Sequence, residues 1–248
     1  MRLEHLRDIY QHQDIYIVGT GPTSSLFDFS YLKDKVCLSL NDAFKMHSSI
    51  TPIALMHHEI YAHTGKDLGA PFHPNFKNIK YPIVKGSSKK KQEKVDWDHP
   101  QYYYYDWDLN IENIRTLSKN SNYLYYTPEG CSLHAALQIA WIMGAKNVFV
   151  IGCDSVTMDG QHYAEYDKNK IRDDNILKNG LKRNYNSYVY GELIVRDFLS
   201  FKGIRVFNLS PIVGYHLLEY QNDVIKGSIP LSDVYRRMRE ECHFSGGV

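Results

Sequence analysis

Two stretches of this chain are apolar almost throughout and then stop on glycine: "DIYIVG" over 14–19 and "NVFVIG" over 147–152. A strand that shows one face to water alternates apolar and polar residues, whereas a strand covered on both faces does not. The pair therefore predicts central strands of a parallel sheet sandwiched between helices, the α/β plan. Further strands are expected at "KVCLSLND" (35–42), "PIALMHHE" (52–59), "YLYY" (123–126) and "IRVFNLS" (204–210).

Helical periodicity fills the gaps. Leu133, Ala136, Leu137, Ala140 and Trp141 recur at the spacing of one apolar helix face, and Gly144 stands where such a helix ends. A second helix is expected over 187–203, stopped by Gly203, and a third over 231–242 starting near Ser232. Pro22 suits the first turn of a helix after the first strand, where a missing N–H costs nothing. Between 65 and 122 the pattern decays: Pro71, Pro74, Pro82 and Pro100 interrupt it, and "KGSSKKKQEK" (85–94) reads as a solvated loop. The aromatic run "QYYYYDWDL" (101–109) resists assignment. The expectation is a single Rossmann-like nucleotide-binding domain over 1–248, its mostly parallel sheet flanked by helices. The irregular stretch 65–122 would be a lid or insertion within it.

Charge narrows the function classes. The chain has 248 residues with 29 basic against 28 acidic side chains, a net charge of +1, so nothing global points to nucleic acid. Twenty tyrosines are enough to line an aromatic cleft with polar tips. Cys37, Cys131, Cys153 and Cys242 show neither metal-type spacing nor a disulfide framework, which favours reduced thiols in the cytoplasm. No run approaches about 18 apolar residues, so no transmembrane segment is expected. Peripheral contact with an anionic membrane stays open through Lys89, Lys90 and Lys91, a run that otherwise reads as solvated.

In open parallel sheets, ligands bind beyond the carboxyl ends of the strands. The sequence places small and polar groups there: Gly19, Thr20, Gly21 and Pro22; Asn41 and Asp42; His57 and His58; 127–132; Gly152 to Asp154; and Asn208 to Pro211. Gly19 and Gly21 suit backbone N–H groups approaching an anion, or simply a tight strand-to-helix turn. The dinucleotide fingerprint's third glycine is replaced by Ser24, and no P-loop lysine follows. Ser132 is a cap or first-turn hydroxyl. Asp154 follows a buried strand and could bind a sugar hydroxyl or Mg²⁺, or cap the next loop. His162 and Tyr163 return toward the same edge after the Asp159-Gly160 turn. His57, His58, His134 and His162 match no zinc spacing; His134 reads as a packed or exposed helix residue, and His57 as a possible wall of the cleft.

Four segments, "IYIVGTGPTSSLFDFSYL", "LSLNDAF", "GCSLHAALQIAWIMGAKNVFVIGCD" and "VFNLSP", together resemble a known motif series. The chain resembles the bacterial CMP-sialic-acid-dependent sialyltransferases of glycosyltransferase family 42. It is also similar to the related MptE-like group, which includes archaeal 6-hydroxymethylpterin pyrophosphokinase and flagellin-glycosylation factors. The resemblance implies a Rossmann-like fold with a lid that binds a CMP-sugar. It assigns nucleotide contacts to Gly19, Thr20, Gly21, Pro22, Asn41, Ser132, Ser210 and Pro211, and site roles to Asp154 and Tyr163. Donor and glycan acceptor would be the partners, with no cofactor required.

One feature departs from that pattern. The sialyltransferases carry a histidine general base ahead of the helix before the last strand, and here "RNYNSYVYGE" (183–192) has none. Tyr185 and Tyr188 are poor unassisted bases at neutral pH. His162 or His57 would have to substitute. Two other readings follow. One is an ATP- and Mg²⁺-dependent pyrophosphokinase with Asp154, and Asp42 or Asp159, on the metal. The other is a non-catalytic nucleotide- or glycan-binding domain.

Overall fold

The computed structural model describes residues 1–21, 24, 27–56, 74–85, 102–127, 131–153 and 191–209. Among the described residues, eight strands are present: β1 (Asp14–Val18), β2 (Val36–Leu40), β3 (Pro52–Met56), β4 (Tyr81–Lys85), β5 (Tyr103–Asp108), β6 (Tyr123–Tyr125), β7 (Asn147–Ile151) and β8 (Arg205–Asn208). Among the described residues, two α-helical segments accompany them: α1 (Ser132–Ile142) and α2, described over 191–201. The sheet order is β6-β5-β4-β3-β2-β1-β7-β8, with every pairing parallel. The expected α/β, Rossmann-like, parallel sheet is what the chain forms. Among the described residues, no helix is long and apolar enough to cross a membrane.

The unbroken apolar runs have the predicted cause: alternate residues serve opposite cores. Ile15, Ile17, Val148, Val150 and Val206 point into the core beneath α1 and α2. Their neighbours Tyr16, Val18, Phe149, Ile151 and Phe207 fill the other face. There Tyr16, Phe149 and Phe207 are direct cross-strand partners and stack as a ladder, with centroids 4.9 and 5.0 Å apart. Such pairs contribute beyond the area they bury.

Gly144 and Gly203 end the two helices as predicted. Each is left-handed, at φ +90 and +77. In each, the glycine N–H and the N–H after it donate back to the last turn: to Trp141 and Ala140, and to Ser200 and Leu199. This is the paired C-terminal motif that glycine permits. The N-terminal segment supplies the next partners, since Asp8, Tyr10 and His12 N–H groups donate to the Ile142, Met143 and Gly144 carbonyls.

Two parts of the 65–122 stretch are regular. Residues 81–85 and 103–108 enter the main sheet as β4 and β5. The prolines hid β4, which carries Pro82 inside it, and a tyrosine run without alternation hid β5. Aromatic residues nonetheless suit a pleated, half-buried surface. β5 also divides its pairing: Tyr103 to Tyr105 join β4, whereas Asp106 to Asp108 join β6. β6 thereby reaches α1, where Gln138 accepts from Tyr125 N–H at 2.8 Å and donates to its carbonyl at 3.1 Å. The expected helix over 231–242 and the loop 86–94 lie outside the described residues.

The stacked ladder sets a first test. Replacing Phe149 by alanine should cost about 3–5 kcal/mol of unfolding free energy, as a fully buried aromatic truncation does. Urea unfolding followed by tryptophan fluorescence checks this, and an unchanged midpoint would contradict the ladder's role.

Candidate functional site

The sheet has one switch point. From β1 the chain runs outward to β2 and β3 on one side, and later lays β7 and β8 on the other. The crevice at the carboxyl ends of β1 and β7 is where such sheets bind ligands. Gly19, Thr20 and Gly21 leave β1 there, and Gly152 and Cys153 leave β7.

These two turns are in direct contact. Gly19 N–H donates to the Ile151 carbonyl at 2.8 Å and Gly21 N–H to the Gly152 carbonyl at 2.7 Å. A Cβ on Gly19 would lie 2.4 Å from the Gly152 carbonyl oxygen. Gly152 is left-handed at φ +63, and a Cβ on it would lie 2.6 Å from Ser24 Cβ. The glycines therefore serve the close approach of two backbone turns. Their N–H groups are spent on that contact rather than held out for an anion, so of the two uses weighed for them the tight turn is the one observed. Thr20, between them, is half-buried.

Ser24 is fully buried, and its hydroxyl donates to the Gly21 carbonyl at 2.7 Å. It occupies the position of the missing third glycine. The Cβ-free residue required for packing here is Gly152, on the neighbouring strand.

Asn41 follows β2 and opens a short 3-10 helix with φ +51. Asparagine tolerates this region better than most residues, and such strain tends to persist at functional positions. The next residue, Asp42, is buried and forms an ion pair with Lys45 at 3.1 Å.

Ser132 is the first residue of α1, and Cys131 is its N-cap; the hydroxyl thus lies in the first turn rather than capping it. α1 packs on β1 and β2 and runs antiparallel to them, so its positive N-terminal end lies over the carboxyl edge, on the side of Gly19 and Asn41. Burial pushes the Cys131 thiol up to about 12, which makes it an inert packing group. His134 is fully buried and hydrogen-bonded through Nδ1 to Thr127 Oγ1 at 2.6 Å. It is a packed helix histidine.

Gly191 of α2 packs against the same point. A Cβ on Gly191 would lie 2.4 Å from His134 Cε1 and 3.0 Å from Thr127 Cβ. Seven residues on in both helices, Phe198 meets Trp141 edge-on at 4.9 Å. The two helices therefore run side by side in one direction, with the N-terminus of α1 and Gly191 of α2 at the carboxyl edge. Glu192, next to Gly191 on α2, is only 3% exposed. Burial raises its carboxyl from the ordinary 4.5 to about 8, although Arg196 pulls the other way. Among the described residues, no group donates to its Oε1.

Sequence reading missed Glu192 although it closes the window searched for a base. Its signal was its place on the apolar stripe, three and seven residues before the buried Val195 and Leu199. Pro22, His57, Asp154, His162, Tyr163, Tyr185, Tyr188, Ser210 and Pro211 lie outside the described residues.

The site thus belongs to an open parallel α/β sheet with a crevice at its switch point. Similar solved structures are sialyltransferases of glycosyltransferase family 42 from Campylobacter jejuni. One is CstII in complex with CMP-3FNeuAc: TM-score 0.48, 14% identity, covering 92% of this chain and 100% of that one. CstII with cytidine-5'-monophosphate gives TM-score 0.49 at 15% identity, covering 93% and 98%. The monofunctional alpha-2,3-sialyltransferase Cst-I gives 0.48 at 15% identity, covering 92% and 94%. No protein-family profile matches the sequence, and no curated protein does.

Two tests follow from this geometry. Gly152→Ala and Gly203→Ala both place a side chain at positive φ, but only the former meets atoms within 4 Å. Each should lose about 1–2 kcal/mol from strain, and Gly152→Ala should lose clearly more by thermal melting. Equal losses would deny the contact between the turns.

The second test concerns pH. The folded state keeps the Glu192 proton that the unfolded chain releases above about 4.5. Stability from this group is therefore complete below that pH and is lost as pH rises toward about 8. Glu192→Gln should flatten the fall in melting temperature across that window and melt higher at pH 8; parallel profiles would refute the raised carboxyl.

Proposed function

We propose that the chain is a glycosyltransferase that takes a CMP-activated acidic sugar of the sialic-acid class and transfers it to a glycan hydroxyl. The observation that carries this reading is the switch-point crevice, where the paired turns of Gly19 and Gly152, strained Asn41 and the Ser132 turn share one sheet edge. Of these, Gly19, Asn41 and Ser132 are positions that the motif resemblance assigns to the nucleotide. A mononucleotide fits this arrangement better than a dinucleotide. Ser24 and Gly152 fill the packing that a third glycine would serve, and the Gly19 and Gly21 N–H groups are committed to β7.

In this reading Thr20, the Ser132 hydroxyl and the positive end of α1 face the leaving phosphate. Dipoles fixed in advance stabilise charge that develops there as the glycosidic bond breaks. Pro22, Asp154, Tyr163, Ser210 and Pro211 complete the nucleotide and sugar contacts, and part of 65–122 covers the donor as a lid of the single domain. Catalysis needs no metal or other cofactor, because CMP leaves on its own phosphate oxygen. The setting is the cytoplasm, with peripheral membrane contact through the Lys89 to Lys91 run. The pyrophosphokinase reading gains no support at Asp42, whose carboxylate is engaged by Lys45.

Isothermal titration with CMP and CMP-3FNeuAc tests the proposal. Both should bind, and Ser132→Ala should weaken CMP about tenfold to a hundredfold, the worth of one hydrogen bond to a charged group. Absence of binding by any cytidine nucleotide would overturn it. Magnesium-dependent stabilisation by ATP analogues alone would favour the pyrophosphokinase.

A further inference from the structure

The glycosyltransferase reading leaves a proton without a destination, since 183–192 contains no histidine. We propose that Glu192 is the general base that accepts the proton of the attacking hydroxyl. The inference rests on that reading and assigns the residue its sequence left open.

Four observations carry it. First, placement: α2 precedes β8, which runs parallel to the rest of the sheet, so the turn of α2 that carries Gly191 and Glu192 lies at the carboxyl edge. It sits beside the first turn of α1, with Gly191 against His134 and the Glu192 charge felt at Cys131. A phosphate at Ser132 and a hydroxyl at Glu192 would then be neighbours.

Second, the carboxyl is buried with an Oε1 to which no described group donates. Buried polar atoms almost always have partners, and the exceptions call for a reason. An incoming hydroxyl is a donor of the right kind. Third, a buried carboxyl on an apolar helix face costs stability that glutamine or leucine would not cost. Strain of this kind is retained where it serves a site.

Fourth, its basicity fits. A base works best with a pKa near the working pH, and burial brings this carboxyl to about 8. The charged and titratable groups around it among the described residues are Arg196 on its own helix, with Cys131 and His134 on α1. Arg196 favours the carboxylate, whereas burial favours the acid.

The step balances. The acceptor oxygen forms a bond to the anomeric carbon while that carbon's bond to the CMP phosphate oxygen breaks. The bonding pair leaves with CMP, the hydroxyl proton passes to the Glu192 carboxylate, and the resulting acid returns it to solvent.

The test is release of CMP from CMP-N-acetylneuraminic acid, with water or an added oligosaccharide as acceptor, for wild type, Glu192→Gln and Glu192→Asp from pH 5 to 9. Wild-type kcat should rise with pH along a limb near 8. Glu192→Gln should bind CMP within about threefold of wild type, lose 100-fold or more in kcat, and lose the limb. Glu192→Asp should restore part of the rate with a shifted limb, which a purely structural role would not do. If Glu192→Gln turns over within threefold of wild type, or keeps the limb, the assignment is overturned while the glycosyltransferase reading stands. If wild type neither binds CMP nor releases it from the donor, the reading fails and the base assignment falls with it.

Discussion

The contact that organises this molecule is between two backbone turns without side chains. Gly19 and Gly152 end adjacent parallel strands, and each would clash with the other turn if it carried a Cβ. Two hydrogen bonds, from Gly19 and Gly21 to the end of β7, close the gap. Ser24 then fills the remaining space and ties itself to Gly21. A parallel sheet that reverses its direction of growth must open a crevice at the reversal. Here the rim of that crevice is fixed by backbone alone, which holds Thr20 and Cys153 at its edge with little freedom.

A second register rests on the first. α1 and α2 run in one direction, with Gly191 under His134 and Phe198 against Trp141. The positive end of α1 lies at the carboxyl edge, beside Gly191 of α2, and favours an anion there. β5 completes the arrangement by leaving β4 for β6, so that Thr127 arrives beneath His134 instead of at a remote sheet edge. The edge thus gathers residues from both ends of the strand order.

Much of this was legible because the periodic signals were strong. Apolar runs closed by glycine gave β1 and β7, and Gly144 and Gly203 gave both helix ends. The aromatic strand β5 was not legible, because four consecutive tyrosines carry no alternation and tyrosine suits a strand, a core or a surface equally. Pro82 hid β4 in the same way. At the site, Gly19, Gly21, Asn41 and Ser132 fall at strand and helix ends as their sequence positions imply, but the sequence left two uses of the glycines open. Whether an N–H points at a ligand or a neighbouring carbonyl depends on which strand lies alongside, and pairing of β1 with β7 spans more than a hundred residues. Glu192 escaped for a different reason. A search by residue type looks for histidine, whereas what makes a carboxyl basic is its burial.

That last distinction reaches beyond one residue. An exposed carboxylate is too weak a base to deprotonate a hydroxyl at neutral pH, and this is why histidine is the usual choice. Desolvation removes the objection by penalising the charged form until the carboxyl titrates where imidazole would. The cost is a fold that is less stable when the group ionises, and here that cost falls on the turn of α2 that carries Glu192. The turn is held from outside, by Gly191 against His134 and by His134 against Thr127. Helix packing that tight lets one buried charge form and discharge without moving the helix that bears it. Structure and basicity at Glu192 are therefore one property, set by a glycine and a histidine on two parallel helices.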